Sequence, residues 1–225
     1  QMNNWQLFLE DKQLRESATE VTTKMIEDWT YWARNTRHLS PKTVRHLVLT
    51  LRVFYTWFIR NYVPGEMLNP VDEAEKPKVP ERKIDTFTAE QLQAMVKACE
   101  KDSDFYGIRD KAVLILLLDT GLRASELCGI EMDDIDWDTQ SISVIGKGDK
   151  ERIVPFSEAT FVSLRAYLRA RPDLGHDIVF VTHFGNSLNN WRLGDLVERR
   201  CEDAKVKGVR CSPHTFRHTF AVQYL

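Results

Sequence analysis

Apolar residues recur at helical spacing through the first third of the chain. Val44, Leu47, Val48, Leu51, Phe54, Tyr55 and Phe58 form one stripe of 3.6-residue period. Ser40-Pro41 just before it supplies an N-cap and a proline at the first helical position, so a helix is predicted from residue 41 onward. Upstream, Val21, Met25, Ile26, Trp29 and Trp32 predict another amphipathic helix, whose aromatics read as core. The pattern fails from Asn69 to Asp85. That stretch, NPVDEAEKPKVPERKID, has three prolines, dense mixed charge and few large apolar residues, which is the composition of a stiffened linker. The chain is therefore expected to divide into an all-helical segment over residues 1–70, a linker over 71–86 and a larger segment over 87–225.

In that larger segment, Thr88 followed by Gln91 is a capping box and opens a helix through Cys99. Residues 109–118 read as a mostly buried helix that stops near Gly121. Residues 141–145 and 151–155 alternate apolar and polar side chains around Gly146-Lys147-Gly148-Asp149-Lys150, as a β-hairpin does. Helices are predicted over 157–169 and 189–206, with a short strand near 178–181. Ser212-Pro213 repeats the cap-plus-proline start and opens a last helix running to Leu225. The expected fold class is mainly α with a small β-sheet (α+β).

A length of 225 residues leaves room for one or two domains with cores of their own. With 43% hydrophobic and 28% charged residues the composition is that of a soluble globular protein. The first residues carry no basic stretch followed by an apolar run, and the longest apolar run, residues 112–118, is too short to span a bilayer. No membrane partner is expected, and the expected location is the cytoplasm, at the nucleoid. Cys99, Cys128, Cys201 and Cys211 form no CxxC pair, so reduced thiols are expected and no metal site.

The net charge of −2 does not advertise a nucleic-acid partner, but its distribution does. Between Trp29 and Gly65 there is no Asp or Glu, while Arg34, Arg37, Lys42, Arg45, Arg52 and Arg60 fall there with His38 and His46. A basic segment in a near-neutral chain can supply phosphate contacts. Lys42, Arg45 and Arg52 lie off the apolar stripe and are the DNA-contact candidates; an ordinary solvated face is the competing reading.

Three short stretches hold candidate chemistry, each weak alone. In Thr120-Gly121-Leu122-Arg123-Ala124-Ser125-Glu126-Leu127 the glycine ends one helix and Arg123 begins the next. A guanidinium is thus presented at the junction with Glu126 one turn on to orient it, although a structural Arg–Glu pair gives the same pattern. Glycines on both sides of Lys147 let a hairpin tip approach a partner closely. It is not a phosphate-cradling P-loop, because GxxxxGK[ST] is absent and the loop lies between strands; a solvated turn lysine is the plain alternative. In Ser212-Pro213-His214-Thr215-Phe216-Arg217-His218-Thr219-Phe220, His214 and Arg217 share a helical face near an N-terminus whose dipole favours anions. With six histidines in the chain, an HxxR also arises by chance.

Together and in order, GLRxSEL, the glycine-flanked lysine hairpin and SPHxxRHTFA resemble the tyrosine recombinase (phage integrase) family, most of all Xer-type recombinases and phage or transposon integrases. The LSPxTVRxxxxxLRxFYxW run is similar to the core-binding domain of that family. The resemblance spans essentially the whole chain. It implies a helical, SAM-like core-binding domain over 1–70 and a catalytic domain over 87–225, acting on double-stranded DNA at a specific site as a homo-oligomer, a tetramer on DNA. Strand transfer in the family passes through a 3′-phosphotyrosine and uses no metal or other cofactor. Carried over by motif, Arg123 and Arg217 grip the scissile phosphate, Lys147 protonates the departing 5′-oxygen and His214 assists proton movement at the nucleophile. Glu126 matches a positioning acid, and Lys150 and Arg152 read as DNA-backbone contacts.

The sequence departs from the family in one respect. There, a second His or Trp and then the nucleophilic tyrosine lie on helices well beyond HxxR, whereas here only His218 to Leu225 follow Arg217. Tyr224 occupies a place where the family has an ordinary helix residue, so it is rejected as nucleophile. The expectation is a chain that lacks the last catalytic helices, binds DNA and holds a phosphate without cleaving it. Two other readings compete. A non-catalytic DNA-binding or regulatory protein on this scaffold has no chemical need for Arg123, Lys147, His214 and Arg217 together, and a type IB topoisomerase does not fit the Xer-like first segment.

Overall fold

Side-chain caps set where most helices begin. Thr22, Ser40, Thr88, Asp104 and Asn189 each accept a hydrogen bond from the backbone N–H three residues on, satisfying a donor that the first helical turn leaves without a partner. The structure is a computed structural model describing residues 2–14, 17–63, 65–80, 84–102, 104–146 and 150–224. It divides into two units, Gln1–Arg82 and Lys83–Leu225.

The first unit holds helices α1 (Met2–Asp11), α2 (Thr23–Asn35) and α3 (Pro41–Tyr62). Its core joins Trp5 and Phe8 of α1 to Ile26, Trp29 and Trp32 of α2 and to Val44, Leu47, Val48, Leu51 and Tyr55 of α3. The indole N–H groups stay paired: Trp29 Nε1 donates to the Asn4 carbonyl and Trp32 Nε1 to Asp11 Oδ2. Helix α1 was not predicted, because a ten-residue helix carries too few repeats for periodicity to register. The expected linker is also shorter than predicted. Val71 and Ala74 are buried in this unit, where Thr23 Oγ1 and Arg52 tie Pro70 and Asp72 down against α2 and α3.

The second unit is built around α5 (Phe105–Thr120), which packs against α4 (Ala89–Lys101), α7 (Glu158–Ala170) and α9 (Pro213–Tyr224). Helix α6 (Ala124–Cys128) follows α5 directly, and α8 (Asn190–Asp203) precedes α9. Strands β1 (Ile135–Asp136), β2 (Ser141–Ile145) and β3 (Glu151–Pro155) form an antiparallel sheet in the order β1-β2-β3, with Val144 opposite Arg152. The hairpin is the predicted one; β1 was not foreseen.

Two predictions need correction. The strand expected near 178–181 reduces to isolated bridges from Glu131 to Ile178 and from Val181 to Ser187. The buried Tyr167 hydroxyl donates to the Val179 carbonyl and accepts from the Val181 N–H, so a side chain stands where a neighbouring strand would. Helix α8 ends at Asp203 rather than 206, where Lys205 turns into the left-handed region at φ 55° and the Val206 N–H returns to the Cys201 carbonyl.

Beside α5 lies an ionic cluster. Asp110, wholly buried, accepts from Arg109, Arg199 and Arg200, and Arg200 also meets Asp102 and Asp203. All four cysteines are free. Among the described residues no helix is long and apolar enough to cross a membrane, and no group of three or more His, Cys, Asp or Glu is placed to hold a metal ion.

Candidate active site

The site is organised by the turn that ends α5. Gly121 closes that helix in the left-handed region at φ 58°, its N–H returning to the Leu117 carbonyl. A Cβ here would come within 2.4 Å of the Phe220 ring, so only glycine permits both the turn and the close approach of α9. From α9, Arg217 donates through Nη1 to the Gly121 carbonyl. Two residues after that glycine, Arg123 stands at the N-cap of α6. Arg123 and Arg217, far apart in sequence, are thus both referenced to one turn.

Glu126 is the anchor of the pocket. Its Oε2 accepts the Arg123 backbone N–H at 2.8 Å and its Oε1 accepts Arg123 Nη1 at 2.7 Å. Arg152, from β3, lies across the same carboxylate in a two-pronged pair, Nη1 to Oε1 at 2.8 Å and Nη2 to Oε2 at 2.9 Å. The Glu126 side chain is 3% exposed, whereas those of Arg123 and Arg152 are 46% and 37% exposed. Burial by itself would raise the Glu126 pKa. The hydrogen bonds from Arg152 and from the Arg123 backbone and guanidinium outweigh it and hold the carboxyl at about 2.

The electrostatics of Arg217 show what this pocket lacks. Burial and the positive charge of Arg123 lower its pKa, Glu126 opposes the change, and Arg152 lowers it further. An arginine stays charged regardless. Three guanidiniums around one carboxylate leave a surplus of positive charge, which a bound anion would relieve.

His214 is exposed in the first turn of α9. Burial of part of its ring, then His218, Arg217 and Arg210, lower its pKa from 6.5, so the neutral imidazole that can accept a proton is favoured. Its ring centroid lies 4.2 Å from that of His218. Sequence reasoning passed over His218, although its spacing of four from His214 places the two on one helical face.

The remaining candidates are dispersed. Lys147 lies outside the described residues, between a Gly146 N–H that donates to the Lys150 carbonyl at 2.8 Å and Lys150 itself, which is exposed. Arg152, expected on the DNA backbone, is paired with Glu126. Lys42 and Arg45 are exposed on α3 in the first unit, where Arg52 Nε pairs with Asp72 at 2.6 Å. Tyr224 packs its ring on Phe220, with centroids 4.7 Å apart.

Comparison with known proteins decides the family. Residues 85–225 match the phage integrase family. The chain belongs to that family. Curated relatives carry the name tyrosine recombinase XerC. That of Corynebacterium glutamicum is 34% identical over 192 residues, covering 83% of this chain and 60% of the relative. That of Staphylococcus epidermidis is 34% identical over 194 residues, covering 83% and 63%. The chain therefore spans about 60% of the length of these tyrosine recombinases. Among solved structures, the Tn1549 transposon integrase in complex with a circular intermediate DNA matches with a TM-score of 0.77 at 18% identity, over 99% of this chain and 78% of that one. XerH site-specific recombinase bound to palindromic difH substrate matches with a TM-score of 0.78 at 18% identity, over 95% and 64%. At these identities the likeness is one of fold, a mainly helical protein with a small sheet.

Proposed function

We propose that the chain is the DNA-handling body of a site-specific recombinase that exchanges strands of double-stranded DNA through a 3′-phosphotyrosyl intermediate. The observation that carries the reading is the surplus positive charge held by Arg123 and Arg217 around one turn. Planar forks of this kind suit the non-bridging oxygens of a phosphodiester better than a point charge does. The tyrosine oxygen forms a bond to phosphorus while the bond from phosphorus to the 5′-oxygen breaks. Lys147 supplies the proton to that leaving oxygen, and His214 accepts the one released at the nucleophile. The phosphotyrosine conserves the ester, so rejoining needs no cofactor.

Each charge-assisted hydrogen bond to the phosphate contributes roughly 1.5–3 kcal/mol, far less than the barrier to phosphate-ester cleavage, so acid–base assistance is required besides the arginines. Tyr224 is not the nucleophile. It lies two turns beyond Arg217 on α9, about 10 Å along the helix axis, and its ring packs on Phe220. In this reading the first unit grips the duplex through exposed cations such as Lys42 and Arg45, and the working assembly on DNA is a homotetramer. The relatives crystallised on DNA support the choice of partner.

The test is Arg123→Ala in the full-length protein, assayed on a nicked duplex carrying the site that the protein itself selects from a randomised library. Covalent attachment should fall about 100- to 1000-fold, the cost of removing one donor to a developing anion, with DNA affinity little changed. Attachment at the normal rate would overturn the assignment.

A further inference from the structure

We infer that Arg152 is a positioning residue for this pocket, acting through the carboxylate that it shares with Arg123 to set the direction in which Arg123 presents its other guanidinium nitrogens. The inference rests on the phosphate-binding reading above and assigns Arg152 a role other than contact with DNA.

Strand geometry supports it first. Arg152 sits opposite Val144, which is buried, and on the same side of β3 as Val154, while Ile153 between them is 72% exposed. The alternation is inverted: a cation faces inward and an isoleucine faces water.

Hydrogen-bond geometry supports it next. Each oxygen of Glu126 accepts one nitrogen of Arg152 and one of Arg123. A planar fork on a planar carboxylate fixes the rotation of the carboxylate. Arg123 is then held from below by Nη1 and by its own backbone, and its other guanidinium nitrogens have no partner among the described residues. Without Arg152, the carboxylate would keep only a partner three residues away on its own helix, and the direction of Arg123 would no longer be defined.

Gly146 supplies the third observation. A Cβ there would stand 3.2 Å from Arg152 Nη1. The glycine before Lys147 therefore leaves room for this guanidinium to cross the base of the hairpin, a constraint separate from any exposure of the loop tip.

The experiment compares Arg152→Gln and Arg152→Lys with the unaltered full-length protein on the same self-selected nicked duplex. For Arg152→Gln the attachment rate at saturating DNA should fall about 100-fold, the cost of misplacing a catalytic group by about 1 Å, with affinity unchanged within about threefold. Arg152→Lys should recover only part of the rate, since an ammonium cannot make the two-pronged pair. The pH profile adds a signature that lost packing would not produce. In Arg152→Gln, Glu126 faces, among the described residues, only Arg123 at the start of its own helix and Arg217 from α9, so its pKa rises toward 4.5 and the rate gains an acid limb there. If Arg152→Gln fails to fold, Glu126→Gln/Arg152→Gln, which leaves no buried charge without a partner, carries the test; it should attach no more slowly than Glu126→Gln alone. A further multiplicative loss in that double variant would overturn the inference. So would weaker DNA binding with a shallower salt dependence and an unchanged saturated rate, the behaviour of a backbone contact. If Arg123→Ala leaves attachment intact, the recombinase reading itself has failed, whatever Arg152→Gln does.

Discussion

Asp110 and Glu126 both lie almost wholly out of water with guanidiniums gathered round them, yet their surroundings differ in charge balance. Around Asp110, three arginines (Arg109, Arg199, Arg200) meet three aspartates (Asp102, Asp110, Asp203), and Arg200 is 2% exposed. The Arg109 guanidinium is covered further by the rings of Phe105 and Tyr106. Around Glu126, two arginines pair with a single carboxylate and a third, Arg217, feels its charge, and Arg123 remains nearly half exposed. A neutral cluster has its charges matched internally, even though Arg199 is 49% exposed, and serves to join α5 to α8. A cluster with positive charge in excess and one side open to solvent is incomplete until an anion arrives. Charge balance, rather than the number of arginines or their exposure, separates a structural cluster from a binding one.

The sharpest way to break the comparison is Arg200→Ala. It leaves Asp110 buried with fewer partners and should cost about 3–5 kcal/mol in a denaturant titration. Arg123→Ala, by contrast, should cost at most about 1 kcal/mol of stability, since its partner keeps Arg152 and its side chain is half solvated. Equal losses at the two sites would remove the distinction. Gly121→Ala comes next, at about 2–4 kcal/mol, combining a left-handed backbone with a methyl group driven into Phe220. Attachment should fall further than stability explains, because Arg217 is seated on that peptide; an active variant with an unchanged melting temperature would refute this. The effect of acid is smaller than that of Gly121→Ala. The Glu126 pKa of about 2 lies below its ordinary 4.5, so its contribution is complete above pH 4.5 and is lost as pH falls toward 2. By about pH 3 roughly 1–2 kcal/mol should be gone, measured as a narrowing stability gap between the unaltered protein and Glu126→Gln. A gap independent of pH would show that the carboxylate is not held by its arginines.

Local chemistry was legible in the sequence. The stripe on α3, the capping box of Thr88 and Gln91, the hairpin and the cap at Ser40 all arise from residues within a few positions of one another. Arg123, Glu126, His214 and Arg217 were singled out by motif wording rather than periodicity, and the structure brings Arg123, Glu126 and Arg217 to one turn. The contacts that depend on distant partners were not. Asp110 reads as a stray charge at the edge of an apolar helix until Arg199 and Arg200, nearly ninety residues on, are brought to it. Arg152 looked like one of several hairpin cations, and only strand register shows that it points inward. Residues 71–74 looked like linker because they follow a proline and carry two acids, while the two small apolar residues that seat them, Val71 and Ala74, carry little signal.

The turn at Gly121 has a consequence for precision under thermal motion. Helix α9 hangs its arginine from the carbonyl of that residue, and the other arginine begins two positions further along the same chain. When α5 shifts along its axis, both guanidiniums are carried the same way, so the error in their separation largely cancels. Two tools mounted on one rail keep their spacing even when the rail moves, and it is their spacing that a phosphate's two non-bridging oxygens would measure.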